Sequence, residues 1–163
     1  FDHRQKYQSS TFSGHVRHAW VHIGMREPDK AEVLCTQVLK RLPTHSPCLT
    51  LMGRVMLARG LETKARALAR TAIDGDPNYP DAYPLLAELL ERQGTELLAR
   101  GDFEGAHGSY RRVLLLDIAS EERRLPRRVV SDMHFSMGVV MQAAGMPSDA
   151  LRSFDMAIAA DPL

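Results

Sequence analysis

Four blocks of the chain end alike. Ala31, Val38 and Pro43 recur as Ala65, Ala72 and Pro77, then as Ala106, Val113 and Ile118, then as Ala150, Ala157 and Pro162, with steps of 7 and 5 residues inside every block. A spacing that returns at a period of roughly 20–50 residues marks stacked supersecondary units, not one closed globule. Each unit hides its apolar face against a neighbour, and the stack leaves long surfaces outside. Such a chain points to binding before it points to chemistry.

The second block shows the unit most plainly. Ser46 and Pro47 suit a helix start, with serine outside as the cap and proline in the first turn. Leu49, Met52, Gly53 and Met56 then fall on one helical face. Gly60 closes that helix. A second carries Ala65, Leu68, Ala69, Ala72 and Ile73 on one face, and Asp76-Pro77 stops it. Gly53 and Ala65 allow the two helices to approach closely. The methionine pairs Met52/Met56 and Met137/Met141 sit at core spacing and read as packing.

These residues resemble the tetratricopeptide repeat, whose pattern places a Trp/Leu/Gly/Tyr group on a first helix, Ala, Phe and Ala on a second, and Pro after it. Block two matches through Leu49, Met52, Gly53 and Met56, then Ala65, Ala69, Ala72 and Pro77. Block four matches through His134, Met137, Gly138 and Met141, then Ala150, Phe154, Ala157 and Pro162. Block three is aligned through Tyr83, Leu86, Ala87 and Leu90, then Ala106, Tyr110, Val113 and Ile118. The step from Ala31 to Ala65 is 34 residues, which is the family's period. The resemblance implies an all-α fold, an α-solenoid of helix-turn-helix repeats coiled into a right-handed superhelix. Its units fall at about 12–45, 46–79, 80–120 and 127–163, after polar residues 1–11 that read as an arm or a disordered lead-in.

Two intervals exceed the period. Ala65 to Ala106 spans 41 residues, and Leu90/Gly94 is echoed by Leu97/Gly101. Seven residues are nearly two turns, so the helix lengthens while its apolar face stays in phase. Ala106 to Ala150 spans 44 residues, with the excess in the stretch from Ala119 to Val130. The first helix of block one admits two registers. Trp20-x-x-Ile23-Gly24 looks like the opening motif but shortens the interval to Ala31. The spacing-preserving register turns His15, His18, Ala19 and His22 inward, and it is preferred.

Bulk composition excludes several classes. The 163 residues carry 21 basic and 20 acidic side chains, a net charge of +1, which gives no steering toward nucleic acid or an anionic membrane. Aromatic residues at 6% make no base-stacking platform. No apolar run reaches the ~18 residues of a membrane helix. Cys35 and Cys48 have no CxxC spacing and read as buried, reduced thiols. The start at Phe1 and the stop at Asp161-Pro162-Leu163 read as a fragment of something longer, of open compartment, with cytoplasmic favoured over periplasmic and a bacterial cast to the Arg- and Ala-rich composition.

Candidate chemistry is sparse. There is no glycine-rich phosphate loop, no HExxH and no nucleophile elbow, and we expect no enzyme and no cofactor. His15, His18 and His22 share a helix face and form a minor metal candidate, short of a fourth ligand. Glu104-x-x-His107 has di-iron spacing but no second pair. Arg123, Arg124, Arg127 and Arg128 are a candidate anionic contact, partly neutralised by Glu121 and Glu122.

The resemblance implies a concave groove lined by first helices, in which a peptide or partner helix lies. By repeat phase that groove takes Val16, Arg17, Trp20, Thr50, Leu51, Arg54, Leu57, Pro84, Leu85, Glu88, Phe135, Ser136 and Val139. Trp20 and Phe135 are its large anchors. The Lys/Asn/Arg clamp of the subfamily that binds acidic chaperone tails is absent in every register. The expected function is a protein-interaction scaffold or adaptor. The alternative is a regulatory or self-assembling module of a larger enzyme or secretion protein, associating through an uncapped last helix that exposes Leu151 or Ile158.

Overall fold

The computed structural model describes residues 3–25, 27–118 and 125–162. Among these the chain is all-helical, with no strand and eight α-helices. They are α1 (His3–Gly24), α2 (Pro28–Leu39), α3 (Ser46–Ala58), α4 (Glu62–Gly75), α5 (Ala82–Ala99), α6 (Phe103–Ile118), α7 (Arg127–Ala143) and α8 (Pro147–Ala160). Helix α1 begins at His3, inside the stretch that its polar sequence marks as an arm. The helices form two compact units, Phe1–Leu85 and Leu86–Leu163, with the division inside α5.

The recurring small residues are what the core is built from. Ala31, Ala65, Ala106 and Ala150 are buried, and so are Val38, Ala72, Val113 and Ala157. The turn inside each of the last three hairpins is the same device. Gly60, Gly101 and Gly145 adopt φ of 76°, 79° and 77°, a left-handed conformation that costs glycine nothing. The amide after each glycine bonds back to the carbonyl of Met56, Leu97 or Met141, all at 2.9 Å. In the first hairpin Glu27 donates to the His22 carbonyl at 2.8 Å in the same way. The glycine position there is Arg26, which lies outside the described residues. The turn thus fixes the register of α1: His22 stands where Met56 stands, and Ala19, fully buried, stands where Gly53 stands.

In unit 1, α1 packs on α2, α3 on α4, and α2 on α3. Ala19, Ala31, Cys35, Val38, Cys48 and Leu51 form one buried cluster, edged by Val16, Trp20 and Ile23. A second holds Leu49, Ala72 and Ala82 against Leu68, Ile73 and Tyr79. Cys35 and Cys48 are unoxidised and buried. The hydrogen bond shared with Cys35, together with burial, pushes the Cys48 thiol up. A Cβ on Gly53 would stand 2.7 Å from a Leu85 methyl and 3.4 Å from the Ala65 carbonyl oxygen, so a larger residue here would have to displace the Leu85 side chain.

The start of α3 differs from the sequence expectation. His45 is the cap, its Nδ1 accepting from the Cys48 amide at 3.4 Å. Ser46 lies inside the helix, buried, and donates through Oγ to the Ala72 carbonyl at 2.7 Å. Ser46 thus spends its hydroxyl proton on the neighbouring helix, and His45 takes the cap.

In unit 2, α7 packs on α8 and on α6. Ser131 repeats the Ser46 contact by donating to the Ala157 carbonyl at 2.9 Å. Gly138 faces the Phe154 ring, as Gly94 faces Tyr110, whose hydroxyl lies 3.2 Å from the Thr95 hydroxyl. The α5–α6 crossing therefore falls at Gly94. This corrects the block-three alignment: Leu90, Gln93, Gly94 and Leu97 hold the places of Leu49, Met52, Gly53 and Met56. Tyr83, Leu86 and Ala87, buried nonetheless, belong to the added turns at the start of α5.

Candidate functional site

The groove residues expected from repeat phase divide into exposed and buried. In unit 1, Arg17 on α1 is exposed, and Val16 and Trp20 beside it are half-buried, as are Arg54 and Leu57 on α3 and Pro84 on α5. Thr50, Leu51 and Leu85 are fully buried at 0% exposure. These three are corrected from groove to core. The first helices are covered by the neighbouring helices as well as by their own partners, and that second contact swallows one edge of the expected lining.

Trp20 and Arg54 meet at the centre of what remains. The Arg54 guanidinium carbon lies 5.9 Å from the centre of the Trp20 ring. A cation over an indole face is the strongest form of this contact. Trp20 packs its other edge on the buried cluster of α1, α2 and α3. Arg54 Nε is buried without a hydrogen-bond partner, and so is Thr50 Oγ1 one turn before it. Tyr79 is close by and donates its hydroxyl to Asp81 at 3.0 Å. Burial and the Asp81 carboxylate hold the Tyr79 phenol far above its ordinary value, while the Arg54 charge pulls the other way. Unit 1 thus presents an aromatic plate, a guanidinium and a phenol together. The sequence marks Trp20 and Arg54; nothing in its spacing marks Tyr79.

In unit 2, Phe135 is exposed and leans on Phe154, ring centres 5.4 Å apart and tilted 48°. Ser136, Val139 and Glu88 are half-buried. Glu88 pairs with Arg92 at 3.4 Å. Burial, with the Asp132 and Glu88 charges, raises the Glu91 carboxyl. An acidic group of Glu88, Glu91 and Asp132 therefore borders this unit's first-helix face. The block-three alignment through Ala87 hides Glu91, because it shifts the face by two turns.

The histidines of α1 do not converge. His18 is exposed, and His22 is held by Glu27 through Nδ1 at 2.8 Å. Among the described residues no group of three His, Cys, Asp or Glu side chains could hold a metal ion. Arg127 and Arg128 stand exposed at the start of α7, with Arg128 Nε 4.0 Å from Asp132. Arg123 and Arg124 lie outside the described residues. No helix among the described residues is long and apolar enough to cross a membrane.

Residues 22–89 match the tetratricopeptide repeat family. A DnaJ homolog subfamily C member 7 homolog of Schizosaccharomyces pombe is 26% identical over 148 residues, 88% of this chain. The chain spans 30% of that protein's length. Among solved structures, BtubC from P. vanneervenii is similar with a TM-score of 0.62 at 16% identity, over 94% of this chain and 64% of that one. YrrB, described as a TPR protein with an unusual peptide-binding site, gives a TM-score of 0.58 at 16% identity, over 91% and 68%. At these identities the likeness is one of fold.

Proposed function

Taking as premise that this is a chain of tetratricopeptide-type helical hairpins, we propose that it is a protein-interaction module without chemistry of its own, and that the first-helix face of unit 1 holds a peptide or helix of a partner protein. The observation that carries this reading is the Trp20–Arg54 pair. A half-buried indole under a guanidinium joins apolar area to a fork of hydrogen-bond donors. Trp and Arg are the residue types most enriched at interface hot spots. The ligand that suits it is a segment with an apolar anchor beside a carboxylate or carbonyl acceptor.

The test is affinity capture by the whole chain, with bound proteins compared between wild type and the Trp20→Ala/Arg54→Ala double variant. The double variant is expected to lose its specific partners while its helical circular dichroism is unchanged. Recovery of the same partners in the same yield removes the face from the proposal. Leu85 is unsuitable for such a test, since a charge there would disrupt the core.

A second reading is favoured by one observation. Ile158 is 67% exposed and Leu151 65% exposed on α8. Ile73, which holds the same place in block two, packs on a buried cluster. This exposed pair supports a regulatory or self-assembling module that associates through α8.

A further inference from the structure

Block three departs from its neighbours within its own hairpin. Where blocks two and four carry Met52 and Met137, it carries Gln93. Where they carry Lys64 and Asp149 it has Gly105, and where they carry Ala67 and Arg152 it has Gly108. The two glycines strip one face of α6, and a hollow of about 440 Å³ lies there between α5 and α6. A Cβ on Gly108 would meet nothing within 4 Å.

The polar atoms at this hollow are mostly acceptors. Gln93 Oε1 is buried without a hydrogen-bond partner. Leaving a buried acceptor unmet costs about 1–3 kcal/mol, so a ligand donor toward which the Gln93 amide turns in the hollow has a ready gain. Ser109 spends its proton on the Gly105 carbonyl at 3.0 Å and offers only lone pairs. Asp102 accepts from the Gly105 amide at 2.8 Å through one carboxylate oxygen, leaving the other, and Glu104 adds a second carboxylate to the lining. The lining's guanidinium belongs to Arg112, eight residues along α6 from Glu104, a rise of about 12 Å between their Cα positions.

We propose that this hollow between α5 and α6 is a binding site for a basic amino acid bearing a carboxylate, with the cation among Gln93, Asp102 and Glu104 and the carboxylate toward Arg112. The chemistry is shared by a free basic amino acid and by a lysine or arginine at the end of a peptide chain. Ammonium and guanidinium groups supply several donors and no acceptor, as the acid end requires. Arg112 suits a carboxylate through its planar fork. The site is independent of the partner face of unit 1.

The test is amide shift mapping on the whole chain with three probes: L-arginine, acetyl-glycyl-arginine with a free carboxyl end, and norleucine. Saturable shifts at Gln93, Gly105 and Gly108 are expected with at least one arginine probe, and the tighter of the two names the source. Norleucine, which lacks the side-chain cation, is expected to bind at least about tenfold more weakly. Gly108→Leu fills the hollow where there is room for a side chain, so it is expected to stay folded and lose the shifts. The proposal is overturned if neither arginine probe saturates, if norleucine matches them, or if Gly108→Leu binds undiminished.

Discussion

Gly138 shows how little room the hairpin crossings leave. Its missing Cβ would press into the Phe154 ring, whereas the same atom on Gly108 would stand in open space. Alanine at the two sites is therefore expected to act in opposite directions. Gly138→Ala should destabilise by about 1–3 kcal/mol through overpacking. Gly108→Ala should stabilise by up to about 1 kcal/mol through helix propensity. Urea unfolding curves decide both, and equal effects would refute the assigned crossing. The same physics explains a misreading. Leu90/Gly94 and Leu97/Gly101 repeat at seven residues. A shift of two turns keeps every apolar residue on its face, so spacing alone is blind to which pair meets the next helix. Only the Tyr110 ring against Gly94 decides it.

At the scale of the helix, the hairpins were legible because small residues mark their crossings and glycines mark their turns. Which face of a first helix stays open was not. Thr50 and Leu51 follow Leu49 at 100° steps, and periodicity groups them without saying how many neighbours surround the helix. Two helix-to-helix links were also invisible. Ser46 Oγ reaches the Ala72 carbonyl and Ser131 Oγ reaches the Ala157 carbonyl, each across 26 residues. Replacing either serine by alanine is expected to cost about 0.5–1.5 kcal/mol in its own unit. Thermal melts of the two single variants and the double should show additive losses, since the sites share no partner. At the last helix, Ile158→Glu is expected to leave the melt nearly unchanged, because that side chain is exposed. Sedimentation of wild type and variant at high concentration then tests self-association: a wild type that remains monomeric ends the second functional reading.

For the molecule as a whole, acid is the expected destabiliser. Burial lowers the folded-state affinity of His45 and of His134 for a proton, from an ordinary value of 6.5. The unfolded chain takes up those protons first. Stability is therefore full above pH 6.5, and it is lost as pH falls from there toward the depressed folded values. The melting temperature should drop between about pH 7.5 and about pH 5.5, a window above most carboxylate titration. His134→Gln should flatten part of that drop, and an unchanged slope would show that the imidazole is not sheltered. His45 lies in unit 1 and His134 in unit 2, so both units should respond.

The distribution of reporter groups adds a practical asymmetry. The single tryptophan and both cysteines belong to the first 85 residues. Indole fluorescence and thiol labelling will thus watch one half of the chain come apart while the other goes unseen. A far-ultraviolet signal that changes without them is the signature of the segment from Leu86 onward, and the order in which the two halves melt can be read without attaching a single dye.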